Sequence, residues 1–140
     1  MHGSSAGLAS DDFRDAAGAL FELQAGAKYV DEGKSIVKMR ASIGGSGEEV
    51  DIILTDGTFV EVQLGQLTSA EAKKKISRNK SAGAKQVVFV FSEGAQIKET
   101  WRNSVREYVM QKLKIPVVIK RLIINPDGTK SWEIVEVIQP

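Results

Sequence analysis

The sequence predicts a single α/β domain in which helices flank a mixed β-sheet. Three observations support this fold class. The length of 140 residues suits one core, and hydrophobic residues make up 42% of the chain, as in ordinary globular proteins. Helix-like and strand-like segments follow one another in the order helix, three strands, helix, strand, helix, two strands. A continuous apolar strand, Gln86 to Phe91, follows a crossover helix, and we therefore expect a mixed-sheet sandwich with local parallel pairing.

The composition excludes several classes of protein. The chain has no cysteine and one histidine, His2, which excludes a disulfide framework, a thiolate zinc site, a cysteine nucleophile and histidine-based proton relays. No apolar run approaches the roughly 20 residues of a membrane span, so we expect no membrane partner. The net charge of +1 gives no argument for a polyanionic partner, and any such surface must come from local clustering of basic residues.

The amino-terminal part is predicted to contain a flexible segment and then a long helix. Residues 1–9 are small or polar and form the predicted flexible segment, which leaves residues 10–140 as the single domain. Ser10 is a predicted helix cap, because acidic residues follow it and apolar residues then recur at helical spacing to about Ala27. A strand is predicted over residues 34–41, before a glycine-rich loop.

The remaining segments alternate between strands and helices. Thr68 and Ser69 are predicted to cap a basic helix, and the turn residues Asn125 to Gly128 separate the last two strands. The predicted elements are strands at residues 49–54 and 58–64, a helix at 70–82, a strand at 86–91, a helix at 95–113, and strands at 117–124 and 132–138.

The hairpin that turns at Gly57 allows two strand registers. A two-residue loop places Ile52 opposite Glu61, which mixes apolar and charged residues on both faces of the hairpin. A three-residue loop with Gly57 in a left-handed conformation pairs Ile52 with Val60 and Asp51 with Glu61, which separates the apolar face from the charged face. We predict the second register because of this separation.

The predicted register makes two carboxylates direct neighbours, with Cβ atoms about 4.5–5.5 Å apart, where like charges are destabilising. Asp51 and Glu61 would then need a cation, supplied by a basic side chain or by Mg²⁺ or Mn²⁺. Glu22 on the first helix has only small neighbours at helical spacing, which predicts a close approach of this helix to the sheet. In the alternative interpretation, these carboxylates lie on solvated faces of the sheet and the helix.

These residues resemble the PD-(D/E)xK nuclease superfamily, whose members have a restriction-endonuclease-like fold. The resemblance covers about Phe13 to Phe91 and includes the helix residue Glu22, the strand residue Asp51 and the Glu61-Val62-Gln63 segment. It implies a sandwich of restriction-endonuclease-like type and a nuclease that depends on a divalent metal, Mg²⁺ or Mn²⁺, with Zn²⁺ less suited. It also implies a catalytic set of Glu22, Asp51, Glu61 and Gln63, in which the first three are the metal ligands.

Gln63 departs from the superfamily pattern, which usually has lysine at this position. Glutamine can orient a water molecule through hydrogen bonds, but it is neither a cation nor a general base. Activation of the attacking water would then depend more strongly on the metal. Gln63 is equally compatible with a change, natural or engineered, that has inactivated the enzyme.

The segment Ala19 to Ala27, followed by a hairpin after a glycine-rich loop, also resembles nuclease toxin domains. Those domains occupy the carboxyl ends of contact-dependent inhibition and polymorphic-toxin proteins. The resemblance implies a toxin that is secreted as part of a larger carrier and acts in the cytoplasm of a bacterial target cell. It also implies DNA or tRNA as substrate and a cognate immunity protein as partner.

The predicted helix at residues 70–82 is strongly basic and is a candidate phosphate-binding track. Such charge runs also occur on ordinary solvated helices. Two other functions therefore stay open, a non-catalytic nucleic-acid-binding module and a protein-interaction module of the same fold. The candidate nucleic-acid-binding residues are Lys73, Lys74, Lys75, Arg78 and Lys80.

Overall fold

The computed structural model describes residues 6–44 and 47–140 and confirms the predicted α/β class and the order of elements. The helices and strands alternate as predicted, and a π-helical turn, Val109–Leu113, extends the last helix. The elements are α1 Ala6–Asp31, β1 Ile36–Ile43, β2 Glu48–Leu54, β3 Thr58–Gln63, α2 Ser69–Ser81, β4 Gln86–Ser92, α3 Glu99–Tyr108, β5 Val117–Ile124 and β6 Lys130–Ile138.

The six strands form one mixed sheet in the order β1-β2-β3-β4-β5-β6. Strands β3, β4 and β5 are parallel to one another, as the crossover helices α2 and α3 require. Strands β1 and β2 add to one side, and β6 adds to the other, by antiparallel pairing. The predicted parallel pairing around Gln86 to Phe91 is therefore confirmed.

Helices cover both faces of this sheet. On one face, α1 contributes Phe21, Ala25 and Tyr29 to a buried cluster with alternate residues of the central strands. On the other face, α2 and α3 bury a second cluster that includes Ile76 and Val105. The result is a three-layer α/β/α sandwich. No helix in the described ranges combines the length and the apolar character that crossing a membrane requires.

Three helix boundaries differ from the sequence predictions by several residues, and one of them is the end of α1, which lies at Asp31 rather than at about Ala27. Helix α1 begins at Ala6 rather than at Ser10, because alanine and leucine before Ser10 favour helix over a capped start. The predicted flexible segment falls partly on residues 1–5, which lie outside the described residues. Helix α3 begins at Glu99 rather than at Ala95, because the backbone N–H of Ala95 donates to the Ser92 carbonyl and forms a turn.

The predicted hairpin register is confirmed next to the turn. Ile52 pairs with Val60, and Gly57 has the predicted left-handed conformation with a φ of 89°. The predicted pair of Asp51 with Glu61 is wrong, because the β2–β3 ladder contains only the Ile52–Val60 and Ile53–Phe59 pairs. The strands separate at Asp51, where the candidate site begins.

Candidate functional site

Strand β2 rotates at Asp51, and this rotation shapes the candidate site. Val50 belongs to the buried cluster under α2 and α3, whereas Ile52 belongs to the cluster under α1. Residues two apart in a regular strand share a face, so the backbone must turn between them. Here the Asp51 side chain, through Oδ2, accepts the backbone N–H of Val62 at 2.7 Å. A carboxylate has thus replaced the backbone carbonyl expected in a regular ladder.

Strand β1 follows the same rotation at Arg40. This residue lies between the Met39–Ile52 and Ala41–Val50 pairs, which puts it opposite Asp51. Its φ of 52° is unusual for a residue with a side chain and accommodates the turn of the backbone.

Glu61 is buried on β3, under helix α2, with only 2% of its surface exposed. Its Oε2 accepts a hydrogen bond of 3.0 Å from Asn79 Nδ2. Its Oε1 lies 3.9 Å from Lys75 Nζ and has no hydrogen-bond partner among the described residues. One oxygen of this carboxylate is therefore held in place and the other is available to a ligand.

Burial raises the pKa of Glu61 to about 7. The positive charge of Lys75 opposes this rise, the negative charge of Asp51 adds to it, and the hydrogen bond from Asn79 opposes it. Burial also raises the pKa of Asp51 above its ordinary value, against the hydrogen bond from Val62, and the charge of Glu22 raises it further. Both carboxyl groups would therefore gain from a nearby cation.

Glu22 projects from α1 and is already paired. Its Oε2 accepts a hydrogen bond of 2.8 Å from Arg40 Nε, and this contact raises the pKa of Arg40. The predicted close approach of α1 to the sheet is confirmed at Gly26, where an added Cβ atom would lie 3.4 Å from Met39 Sδ. Glu22 therefore reaches the Asp51 side of the sheet, but Arg40 compensates its charge.

The donor atoms fit a hard divalent cation in part. The orphaned Glu61 oxygen and the second Asp51 oxygen are the hard donors that Mg²⁺ and Mn²⁺ prefer. In the described part of the chain, no three acidic or histidine side chains form a group that could hold a metal ion. Asp51 and Glu61 could thus supply two ligands, with the remaining positions taken by water or substrate.

Gln63 is the last residue of β3 and pairs with Phe91 of β4. It lies two residues beyond Glu61, and therefore on the same face of the strand. Its side chain is half-buried and makes no hydrogen bond to any described residue. The amide is thus available at the carboxyl end of the parallel strands.

The basic residues of α2 do not share one environment. Lys75 faces Glu61, and Arg78 Nη1 lies 3.3 Å from Glu48 Oε1. Lys73 Nζ lies 5.7 Å from the Tyr108 ring centroid, whereas Lys74 is exposed. The ammonium of Lys80 donates to the carbonyl of Leu113. The candidate phosphate-binding residues are therefore divided between the carboxylate site and the outer side of α2.

Helix α2 is fixed directly after β3 by a capping box. Thr68 Oγ1 accepts the backbone N–H of Glu71 at 3.1 Å, and the Glu71 carboxylate in turn accepts the backbone N–H of Thr68 at 3.4 Å. The capping box fixes where the helix begins and therefore which residues face the sheet. Lys75 and Asn79 face Glu61. Asn79 is a site residue that the sequence patterns above do not single out, although it follows Ala72 and Ile76 at core-facing spacing, where a polar residue is an identifiable signal.

The chain matches no family model, no curated protein and no solved structure in comparisons with known proteins.

Proposed function

We propose that the protein is a divalent-metal-dependent nuclease of the restriction-endonuclease-like type. The observation that carries this proposal is the buried carboxylate of Glu61 beside the partly buried Asp51, with Lys75 Nζ 3.9 Å from the orphaned Glu61 oxygen. Burying such a pair without full compensation destabilises the fold, so a role outside folding accounts for its presence. The chemistry that needs these groups together is metal-assisted hydrolysis of a phosphodiester.

Each residue has a defined task in this proposal. Asp51 and Glu61 would bind Mg²⁺ or Mn²⁺, which when bound supplies a Lewis acid and lowers the pKa of a coordinated water. Lys75 provides a positive charge beside Glu61, the property that Gln63 lacks. The Gln63 amide orients the attacking water by hydrogen bonding. The Val62 N–H keeps Asp51 in position, and Arg40 compensates the charge of Glu22.

The proposed substrates are DNA and tRNA, and the proposed setting is a toxin domain that acts in the cytoplasm of a target bacterium. Lys74 and Lys73 on the outer side of α2 would contact phosphates next to the carboxylate site. A cognate immunity protein would cover this same basic and acidic surface. These statements rest on the resemblance to nuclease toxin domains and on the division of the α2 lysines.

Cleavage assays with purified chain test the proposal. Plasmid DNA and total tRNA are incubated with Mg²⁺, Mn²⁺ or Zn²⁺, and with EDTA. We expect cleavage with Mg²⁺ or Mn²⁺ that EDTA stops and that both Asp51→Asn and Glu61→Gln abolish. Glu49→Gln is the matched control, because Glu49 is an exposed carboxylate on the same strand as Asp51 and should keep full activity.

Two observations favour a second candidate, a non-catalytic nucleic-acid-binding or protein-interaction module. Gln63 stands where the superfamily has lysine, and Glu22 is held by Arg40 instead of joining the other carboxylates. If no metal supports cleavage while the chain still binds nucleic acid, the binding module replaces the nuclease. Absence of both activities leaves the interaction module.

A further inference from the structure

A second polar cluster lies on the α1 face of the sheet, away from the carboxylate site under α2. A pocket of about 500 Å³ is bounded by the end of α1, the β2–β3 turn and strands β4 to β6. Lys120 on β5 lines this pocket and is 8% exposed. We call it the Lys120 pocket, and its polar lining includes Tyr29, Glu32, Asp56, Lys120 and Trp132.

Two aromatic rings hold the ammonium of Lys120. Its Nζ lies 3.6 Å from the Trp132 ring centroid and 4.6 Å from the Tyr29 ring centroid. Within the described residues this ammonium has no carboxylate partner and no hydrogen-bond acceptor. The rings orient the cation but leave at least one N–H without an acceptor, since an ammonium has three.

The phenol of Tyr29 also lacks a hydrogen-bond acceptor among the described residues. Tyr29 is 4% exposed, and its hydroxyl is buried without a hydrogen-bond partner. Burial also raises the pKa of this phenol, so the hydroxyl keeps its proton and remains a donor. The buried Tyr29 hydroxyl and the Lys120 ammonium thus line one pocket as neighbouring donors, and leaving the buried hydroxyl unpaired is costly.

The two carboxylates that line the pocket have partners of their own. Glu32 Oε1 accepts the Trp132 indole N–H at 2.9 Å. Asp56 accepts the Thr58 N–H at 3.0 Å and pairs with Lys34 Nζ at 3.2 Å. In the described part of the chain, no hydrogen bond links either carboxylate to the Lys120 ammonium or to the Tyr29 hydroxyl, and a negatively charged acceptor would suit both of these donors.

Most of the remaining pocket lining is apolar and would contact an apolar part of a ligand. Apolar side chains from four strands form it, namely Leu54, Val88, Val118, Ile134 and Val137. We propose that the Lys120 pocket binds a small organic acid, with its carboxylate on Lys120 and Tyr29 and an apolar body against these side chains. Two donors match the two oxygens of one carboxylate. This proposal is independent of the nuclease proposal, because the site lies on the other face of the sheet.

Calorimetric titration with benzoate, acetate and benzamide tests the pocket. Benzoate has both required parts, acetate lacks the apolar body, and benzamide lacks the charge. We expect saturable binding of benzoate, with acetate and benzamide at least about tenfold weaker, as expected for the loss of one major part of the interaction. Equal affinity for benzamide and benzoate would overturn the assignment, as would no saturable benzoate binding by the folded protein.

Three variants locate the ligand. Lys120→Met keeps the length of the side chain and removes the charge, and it should weaken benzoate binding by about tenfold or more. Tyr29→Phe removes only the hydroxyl and should weaken binding by about three- to tenfold, which also covers the case of a misfolded Lys120→Met. Lys98→Met, at an exposed lysine before α3, is the matched control. Unchanged affinity in folded Lys120→Met, or in Tyr29→Phe, would place benzoate elsewhere and overturn the proposal.

The pH dependence provides an independent readout. Burial lowers the pKa of Lys120 to about 8, with Glu32 opposing this shift and Lys28 and Lys34 adding to it. Asp56 also lines the pocket, but its carboxylate stays charged at neutral and alkaline pH because its pKa is lowered. Benzoate affinity should therefore fall as the pH rises through about 8. Constant affinity from pH 6 to pH 10 would contradict contact with Lys120.

Discussion

The side chain of Asp51 accepts the backbone N–H of Val62 at 2.7 Å, so one candidate metal ligand also completes the β2–β3 connection. The hydrogen bond uses one carboxylate oxygen and leaves the other for a ligand. A substitution at Asp51 therefore acts on folding and on chemistry at once. The two effects can be separated by choosing what replaces the carboxylate.

We expect Asp51→Asn and Asp51→Ala to differ in stability. Both remove the charge, but only asparagine keeps an oxygen that can accept the Val62 N–H. Alanine should therefore lower the free energy of unfolding by about 1–3 kcal/mol relative to asparagine, the cost of an unsatisfied buried donor. Urea denaturation at pH 7 measures the difference. Equal stability of the two variants would mean that water satisfies this N–H.

Glu61 should make the stability of the apo protein depend on pH. The pKa of Glu61 is raised from 4.5 to about 7 in the folded state, so the folded protein holds this proton more tightly than the unfolded chain. This contribution favours the fold fully below about pH 4.5, and it is lost as the pH rises to about 7. Glu61→Gln should remove this loss and raise the free energy of unfolding at pH 8 by about 1–3 kcal/mol.

Thermal unfolding from pH 4 to pH 8 measures this effect. The exposed Glu49→Gln variant is the control and should follow the wild type at each pH. A Glu61→Gln variant with the same pH dependence as wild type would show that Glu61 has an ordinary pKa.

Lys75 and Lys74 provide a matched pair of neighbouring lysines on α2. Lys75 faces Glu61, and its charge lowers the pKa of that carboxyl, whereas Lys74 is exposed. Lys75→Met should therefore raise the pKa of Glu61 further and reduce nuclease activity by about 10- to 1000-fold, as for loss of one aligned electrostatic group. Lys74→Met should leave the pKa of Glu61 unchanged. Carbon-detected NMR titration of Glu61 and a cleavage assay provide the two readouts.

Gln63 tests whether water orientation contributes to the proposed reaction. Gln63→Ala should retain some activity and lose about 10- to 1000-fold in rate, because only one aligned hydrogen bond is removed. Gln63→Lys should preserve or raise activity by placing a cation near Glu61. An inert wild type together with an active Gln63→Lys variant would identify Gln63 as an inactivating change. If both are inert while folded, the nuclease proposal fails.

The sequence contained enough information for the elements and for the hairpin register near the turn. Alternation of apolar residues predicts the pairing of Ile52 with Val60, because one residue of slippage would mix apolar and charged residues on both faces of the hairpin. The predicted pairing failed at Asp51, where a side chain replaces a backbone acceptor. Periodicity assumes a regular ladder and carries no signal for that exchange.

The sequence predicts only part of the candidate site, because sequence patterns describe single elements and not the contacts between distant ones. Asp51 and Glu61 follow from the hairpin, but the contacts of Lys75 and Arg40 depend on how elements far apart in sequence are oriented. The sequence predicts a phosphate-binding role for Lys75, because a run of lysines does not reveal which side of α2 faces the sheet. Arg40 was missed because its positive φ has no sequence signature.

The order of the sheet, β1-β2-β3-β4-β5-β6, has a consequence for how the chain reaches its native state. Each strand joins its immediate predecessor, so no strand must be inserted between two that have already paired. The closure of long loops, which slows many sheet proteins, is limited here to the two helical crossovers. We expect vectorial folding during synthesis, in which the β1–β3 meander forms early and each later unit adds at the growing edge.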